Sequence, residues 1–295
     1  MILIEVGGGL GNQMFGYAFA RALALEFGDE LIISKRRLDN DAFRYGLDHF
    51  KLFDEVKYIE QQPGILRMRY LTRVMRGKIE GRVFKKKSKH AHVRSVHDTL
   101  MERNYVEIPY SSKKLNIYRG IFQSEKYFLK HKTAILNDFV VKDDFNEYEK
   151  KLEQAIENSN SVCIHVRRGD FLKSGIHNVC TIDYFERAIL KMKELKGECQ
   201  FYVFSDDIEW TRQNIKCDGA TYVDKTGSEF IDLALMMKCK NFIIPNSTFS
   251  WWAQYLSNAP DKIVIAPEIW LNDEGPRQNG VYLDNWVCLN PYQEQ

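Results

Sequence analysis

The run His165-Val166-Arg167-Arg168-Gly169-Asp170 sets two adjacent arginines between a histidine and an aspartate. Guanidinium groups at the end of an apolar stretch are expensive to bury unless each meets an anion. In an extended chain His165 and Arg167 share one side, and Arg168 and Asp170 the other. That division sends Arg167 towards a ligand phosphate with His165 beside it, and leaves Arg168 to Asp170 or another acid. A pair of internal salt bridges is the plainer account. A second segment, Asn246-Ser247-Thr248-Phe249-Ser250, offers hydroxyls and free backbone N–H groups at a helix start, which suits a phosphate. Trp251 and Trp252 behind it read as core. In a third, Phe204-Ser205-Asp206-Asp207, the carboxylates suit guanine N–H groups or ribose hydroxyls; helix capping by Ser205 or Asp206 serves equally well. The fourth is Gly7-Gly8-Gly9-Leu10-Gly11-Asn12-Gln13. Its glycines let the backbone approach a ligand closely, or make a structural tight turn. The third glycine of a dinucleotide fingerprint would fall on Asn12, and the P-loop ending Gly-Lys-Ser/Thr is missing.

These segments follow strand-like runs. Ile2 to Val6 reads as a strand before the glycine turn, and a helix carries Met14, Tyr17, Ala18, Arg21, Ala22 and Leu25 at helical spacing. Leu31 to Ser34 reads as a second strand, ending in Ser34-Lys35 without a ribose-binding carboxylate. The stretch 60–115 is basic and irregular, and no elements are assigned in it. Further on, strands are expected at 161–166, 200–204, 241–245 and 262–266, and helices at 183–195, 231–238 and from Ser250 to Leu256. A helical stretch from Asp143 to Asn158 leads from one half to the other. Strand and helix alternate, so the expected class is α/β with parallel sheets: two Rossmann-like domains, 1–150 and 151–295, facing a cleft. In such sheets ligands bind outside the carboxyl ends of the strands, where all four segments fall.

The chain has 295 residues and a net charge of +2, unremarkable for globular domains. Its charge is unevenly spread: from Arg67 to Arg94 only Glu80 opposes Arg69, Arg73, Arg76, Lys78, Arg82, Lys85, Lys86, Lys87 and Lys89. A solvated basic surface explains this, as does attraction to anionic lipid headgroups at the inner membrane or to an anionic acceptor. Nucleic acid is disfavoured, because no base-stacking aromatics are interleaved in a recognisable module. No signal peptide or membrane span is read, and the six cysteines show no CxxC spacing, so reduced thiols and a cytoplasmic location are expected.

Taken together the four segments resemble the bacterial branch of the α-1,2-fucosyltransferases, glycosyltransferase family 11. That family carries a GGLGNQMFQYA-like start, an HxRRGD(Y/F) motif, an SDD-x-EW segment and an NSTFSWWAAYL-like segment. Here they stand, in that order, as Gly8 to Ala18, His165 to Phe171, Phe204 to Trp210 and Asn246 to Leu256. Asp232 to Met236 also resembles a family stretch. The departures are Gly16 for Gln, Phe171 for Tyr and Gln254 for Ala. The resemblance implies a GT-B-like fold and an inverting transfer of L-fucose from GDP-β-L-fucose to the 2-hydroxyl of a terminal galactose, as in O-antigen biosynthesis. It implies no metal and no further cofactor. The N-terminal half would face the acceptor, and the C-terminal half would bind the GDP-sugar. Arg167, Asp170 and Asn12 are then the expected catalytic residues, with Asp170 the candidate base. Gly9, Gly11, His165, Arg168, Ser205, Asp206, Asp232, Ser247, Thr248 and Phe249 are expected to line the donor, with Asp206 or Asp232 reading guanine.

Rival readings are weaker. Asp39-Asn40-Asp41 has the spacing of a metal-binding DxD, yet its polar setting favours turn or capping roles. His90, His92 and His97 lie among lysines that repel a cation. A nucleotide-sugar oxidoreductase or epimerase using NAD(P) lacks its third glycine and its acid. A glycan-binding module leaves the arginine pair without a purpose, and a nucleophilic hydrolase lacks its G-x-S-x-G elbow.

Overall fold

A computed structural model describes residues 1–38, 43–83, 103–112, 115–224 and 226–292. Asp39-Asn40-Asp41, His90, His92, His97 and the basic run 85–94 lie outside them. The chain divides into two compact units, Met1–Val140 and Val141–Gln295. The division precedes the expected 150/151 boundary because the connecting helix belongs to the second unit. That helix, Glu147–Asn158, lays Leu152 and Ile156 into the core, and its Glu149 accepts the Gly227 N–H at 2.8 Å.

The first unit holds β1 (Ile2–Glu5), α1 (Leu10–Phe27), β2 (Leu31–Ser34), β3 (Lys57–Tyr58), α2 (Gly64–Val83), β4 (Asn116–Tyr118) and α3 (Lys132–Asp138). Its sheet is parallel throughout, in the order β3-β2-β1-β4. Fully buried β1 lies between β2 and β4, and chain order reverses there. The helix α1 stops at Gly28, whose φ of +60° makes a left-handed cap donating its N–H to the Ala24 carbonyl. Tyr17 and Arg21 of α1 both hydrogen-bond the Asp138 carboxylate, at 2.7 and 3.0 Å, tying α1 to α3. The helix α2 lies in the stretch that sequence left unassigned. Its buried Leu66 and Tyr70 pack with Leu3, Ile32, Ile59, Leu115 and Ile117.

The second unit holds α4 (Glu147–Asn158), β5 (Ser161–Val166), α5 (Ile182–Lys196), β6 (Gln200–Ser205), α6 (Ile208–Asn214), β7 (Thr221–Tyr222), α7 (Glu229–Met236), β8 (Asn241–Ile243), α8 (Thr248–Leu256), β9 (Val264–Pro267) and β10 (Val287–Leu289). The sheet is again parallel, in the order β10-β9-β8-β5-β6-β7. The core gathers Val162, Ile164 and Val166 of β5 with Tyr184, Phe185, Ile189 and Met192 of α5. Local signals start several helices. Asn146 and Glu149 form a reciprocal capping box on α4, and Thr181, Asp207 and Ser228 cap α5, α6 and α7. The α/β class with two parallel sheets is therefore as expected. Chain order runs outward from β5 through β6 in one direction and β8 in the other, so the switch point lies between β5 and β8.

Candidate active site

At that switch point the chain leaves β5 into Arg167 and Arg168, and leaves β8 into the segment that starts α8. The β5–β6 register pairs Val166 with Ser205, so the residues after each strand end up side by side. The Arg167 guanidinium donates from Nε and Nη2 to Asp170 Oδ1, at 3.0 and 2.7 Å, and its Nη1 lies 3.1 Å from Asp206 Oδ2. Asp206 Oδ1 accepts the backbone N–H of Arg168 at 2.8 Å. The Arg168 side chain turns elsewhere: Nε donates to Asp207 Oδ2 at 3.1 Å, and the guanidinium lies 3.3 Å from the centre of the Trp210 ring. Of the partners expected for Arg168, Asp170 or another acid, it is the other acid, Asp207, that holds it. The strand ends at Val166, so alternation no longer governs the arginines, and Asp170 falls within reach of Arg167.

The arginines differ in access. The Arg167 side chain is 31% exposed and Arg168 17%, so Arg167 is the guanidinium more open to a solute. A Cβ at Gly169 would stand 2.6 Å from Asp206 Oδ2, so the glycine is there to admit that carboxylate. Asp206 is engaged by both arginines, through the Arg167 guanidinium and the Arg168 backbone N–H. The α6 cap is Asp207, rather than Ser205 or Asp206. Ser205 Oγ instead accepts the Asp207 N–H at 3.0 Å and lies 2.9 Å from the Thr211 hydroxyl.

His165, the penultimate residue of β5, is buried, and burial with the nearby Arg167 charge pushes its pKa down to about 3. The imidazole is neutral at physiological pH, and among the described residues its Nδ1 has no hydrogen-bond partner. Its ring centre is 5.5 Å from that of Phe249 in the first turn of α8. Ser247 caps α8 without a side-chain hydrogen bond. The Asn246 amide instead donates to the His177 and Trp270 carbonyls, at 2.9 and 2.8 Å, and holds the turn before the helix. Trp251 and Trp252 are fully buried, as expected of core. Arg167, His165, Phe249 and the α8 start thus come together. Asp232 lies on α7, hydrogen-bonded by Thr226 Oγ1 at 2.5 Å, with burial pushing its pKa up to about 6.

In the first unit the glycine turn follows β1. Gly8 has a φ of +73°, a backbone conformation that L side chains rarely adopt, and Gly9 is the N-cap of α1. Buried Gln13, which sequence reading passed over, holds the turn. Its amide donates to the Gly8 and Arg44 carbonyls at 2.9 and 2.8 Å, while its Oε1 accepts the Gly46 N–H at 3.1 Å. Gly11 is buried, and Asn12 is exposed, accepting from Gln123 Nε2 at 2.7 Å. Also passed over was Glu5, the last residue of β1. It is buried and accepts the Tyr70 hydroxyl hydrogen bond, and Ser34 Oγ lies 3.1 Å from that hydroxyl. Burial pushes the Glu5 carboxyl above its ordinary pKa, while the Tyr70 bond and Arg119, Arg36 and Arg37 oppose the shift. An apolar strand ending in a single acid was the available signal.

Two parallel α/β units, with a polar site at the switch point of the second, put that site where such sheets bind their ligands. The sequence profile of glycosyl transferase family 11 matches residues 1–290, and the chain belongs to that family. It is a glycosyltransferase. It is 30% identical to the O-antigen biosynthesis glycosyltransferase WbnK of Escherichia coli, over 96% of this chain and 99% of that one. It is also 30% identical to an alpha-1,2-colitosyltransferase of Escherichia coli, over 98% and 99% of the two chains. Galactoside 2-alpha-L-fucosyltransferase Sec1 of Mus musculus is 26% identical, over 64% of this chain and 55% of that one.

Proposed function

We propose that the protein is an inverting α-1,2-fucosyltransferase that moves L-fucose from GDP-β-L-fucose to the 2-hydroxyl of a terminal galactose on a glycan. The observation that carries the reading is Arg167: an accessible guanidinium held by two carboxylates at a switch point, beside a neutral histidine and a helix start whose cap makes no side-chain hydrogen bond. In the reaction the acceptor oxygen bonds to the sugar C1 as the bond from C1 to the β-phosphate oxygen breaks. The hydroxyl proton leaves to a base, for which Asp170 is the candidate. Negative charge grows on the departing GDP, and a preorganised guanidinium and helix N–H groups are strongest against that charge. The two guanidiniums already face three carboxylates, so a diphosphate reaching Arg167 displaces Asp170, its half-exposed partner. Arg168 is a positioning residue in this scheme, locked by Asp207 and Trp210. His165 Nδ1, Ser247, Thr248 and Phe249 serve the donor, and Asp232 serves the guanine. Gly9, Gly11 and Asn12 serve the phosphates or the acceptor. The reading involves no metal, and it places the enzyme on the cytoplasmic side with a lipid-linked or soluble galactoside acceptor.

The experiment is product mass after incubation with GDP-fucose and lactose or N-acetyllactosamine in EDTA, with GDP-mannose and UDP-galactose as control donors. A fucosylated product from GDP-fucose alone is expected. Binding of GDP-fucose with no transfer to any galactoside would overturn the acceptor, and no binding would overturn the donor. The similarity to the colitosyltransferase favours one second reading, a nucleotide-activated colitose as donor, and a larger kcat/KM for colitose than for fucose would select it.

A further inference from the structure

We infer that α2 docks the protein on an anionic lipid bilayer through a stripe formed by Ile65, Met68, Leu71 and Met75. This deepens the cytoplasmic-side reading above and does not depend on the donor. Among its described residues, the helix packs on the first unit through buried Leu66 and Tyr70, which share one side. At about 100° per residue, Ile65, Met68, Leu71 and Met75 fall on the opposite side. They are 70%, 62%, 39% and 59% exposed. Scattered exposed apolar residues are ordinary in a folded protein, but four along one face, over about 15 Å of helix, form a continuous band.

Charge selects the occupant. Arg67 and Arg69 are exposed and fall on the two flanks of the band, and the same helix carries Arg73, Arg76, Lys78 and Arg82 against the single acid Glu80. An apolar face rimmed by cations on both sides matches the boundary of an anionic bilayer, where the side chains enter the acyl region and the guanidiniums meet headgroup phosphates. A protein partner of ordinary composition supplies no such run of negative charge. No helix among the described residues is long and apolar enough to cross a membrane, so the contact is one of lying on the surface.

The test is flotation of the full chain, without donor or acceptor, on phosphatidylcholine vesicles with or without phosphatidylglycerol. The expected result is binding to the phosphatidylglycerol vesicles alone, weakened by salt. Met68→Glu/Met75→Glu is expected to lower the partition coefficient about tenfold or more, as is Arg67→Glu/Arg69→Glu at low salt. Far-UV circular dichroism and the melting temperature should be unchanged. Met68→Gln/Met75→Gln replaces the first pair if glutamates prevent folding. The inference is overturned if the wild type stays behind from phosphatidylglycerol vesicles, or if a folded methionine variant floats as well as wild type. A wild-type dimer in sedimentation velocity that the methionine variant splits would overturn it too, by assigning the stripe to a second copy.

Discussion

The carboxyl ends of β1 and β5 solve one problem in opposite ways. Each central strand of a parallel sheet runs from a buried interior to a polar turn beside a switch point. At β1 the polar group is a single carboxylate, Glu5, taken into the interior and satisfied by the neutral hydroxyl of Tyr70; burial holds its pKa up. At β5 the polar groups are full charges, Arg167 and Arg168, kept near solvent and each matched to a carboxylate. The first arrangement closes off a polar group and stiffens the base of the glycine turn. The second leaves a charge that can exchange partners. A buried, satisfied acid supports structure, whereas a half-exposed ion pair is cheap to open and can receive a ligand anion.

The sharpest way to break this contrast is Arg167→Ala. Losing one preorganised donor to the leaving group is expected to lower kcat about 10²–10³-fold, with melting temperature and circular dichroism near those of wild type. Turnover within a few-fold of wild type would remove Arg167 from the chemistry. A smaller effect separates the two strand ends through paired carboxylate substitutions. Asp206→Asn deletes the ion pair to Arg167 and is expected to destabilise by about 1 kcal/mol at neutral pH. Glu5→Gln keeps an acceptor for Tyr70. Because the folded pKa of Glu5 is raised, the stability that its protonated form contributes is present at acid pH and lost as pH rises. The glutamine variant is therefore expected to gain on wild type as pH rises above the ordinary carboxylate range. Denaturant titrations across pH measure both, and a Glu5→Gln variant that loses ground on raising pH would show the carboxylate to be an active anion.

The last expected effect is on a pH slope. His165 has a folded pKa pushed down to about 3 from an ordinary 6.5, so the unfolded chain takes up its proton first as pH falls. The stability its neutral form contributes is fully present above about pH 6.5 and is lost below it, at up to about 1.4 kcal/mol per pH unit. Replacing it by Asn should flatten the fall in stability between about pH 6.5 and 5 relative to wild type. An unchanged slope would mean that His165 is protonated in the fold.

Much of the frame was legible in the residues themselves. Ser161–Val166 and Leu31–Ser34 were read with the bounds they have, because an apolar run of strand length between polar turns is a local signal. Helices α1, α4, α5, α7 and α8 were read to within a few residues, whereas the seven-residue α3 and α6 were not assigned, and the buried Trp251 and Trp252 were recognised as core from their setting. The short β3, β7 and β10 were not assigned, because two or three half-buried residues carry no period. The helix α2 was missed because its exposed face carries apolar side chains as well as arginines, which hides the usual alternation.

What the sequence by itself determined is the order of strands, helices and polar turns, and the residue types that each turn carries. Those follow from neighbours a few positions apart along the chain, where periodicity and capping act. Tertiary structure alone decided which charge meets which. Arg167 meets Asp170 because β5 ends one residue before it, and meets Asp206 because the β5–β6 register sets the two strand ends side by side. The same packing leaves Arg168 to Asp207 and Trp210, forbids a side chain at Gly169, and brings Tyr70 to Glu5 across 65 residues of chain. Ion pairing and desolvation act over a few ångströms of space, and the distance between two residues in space is a property of the fold.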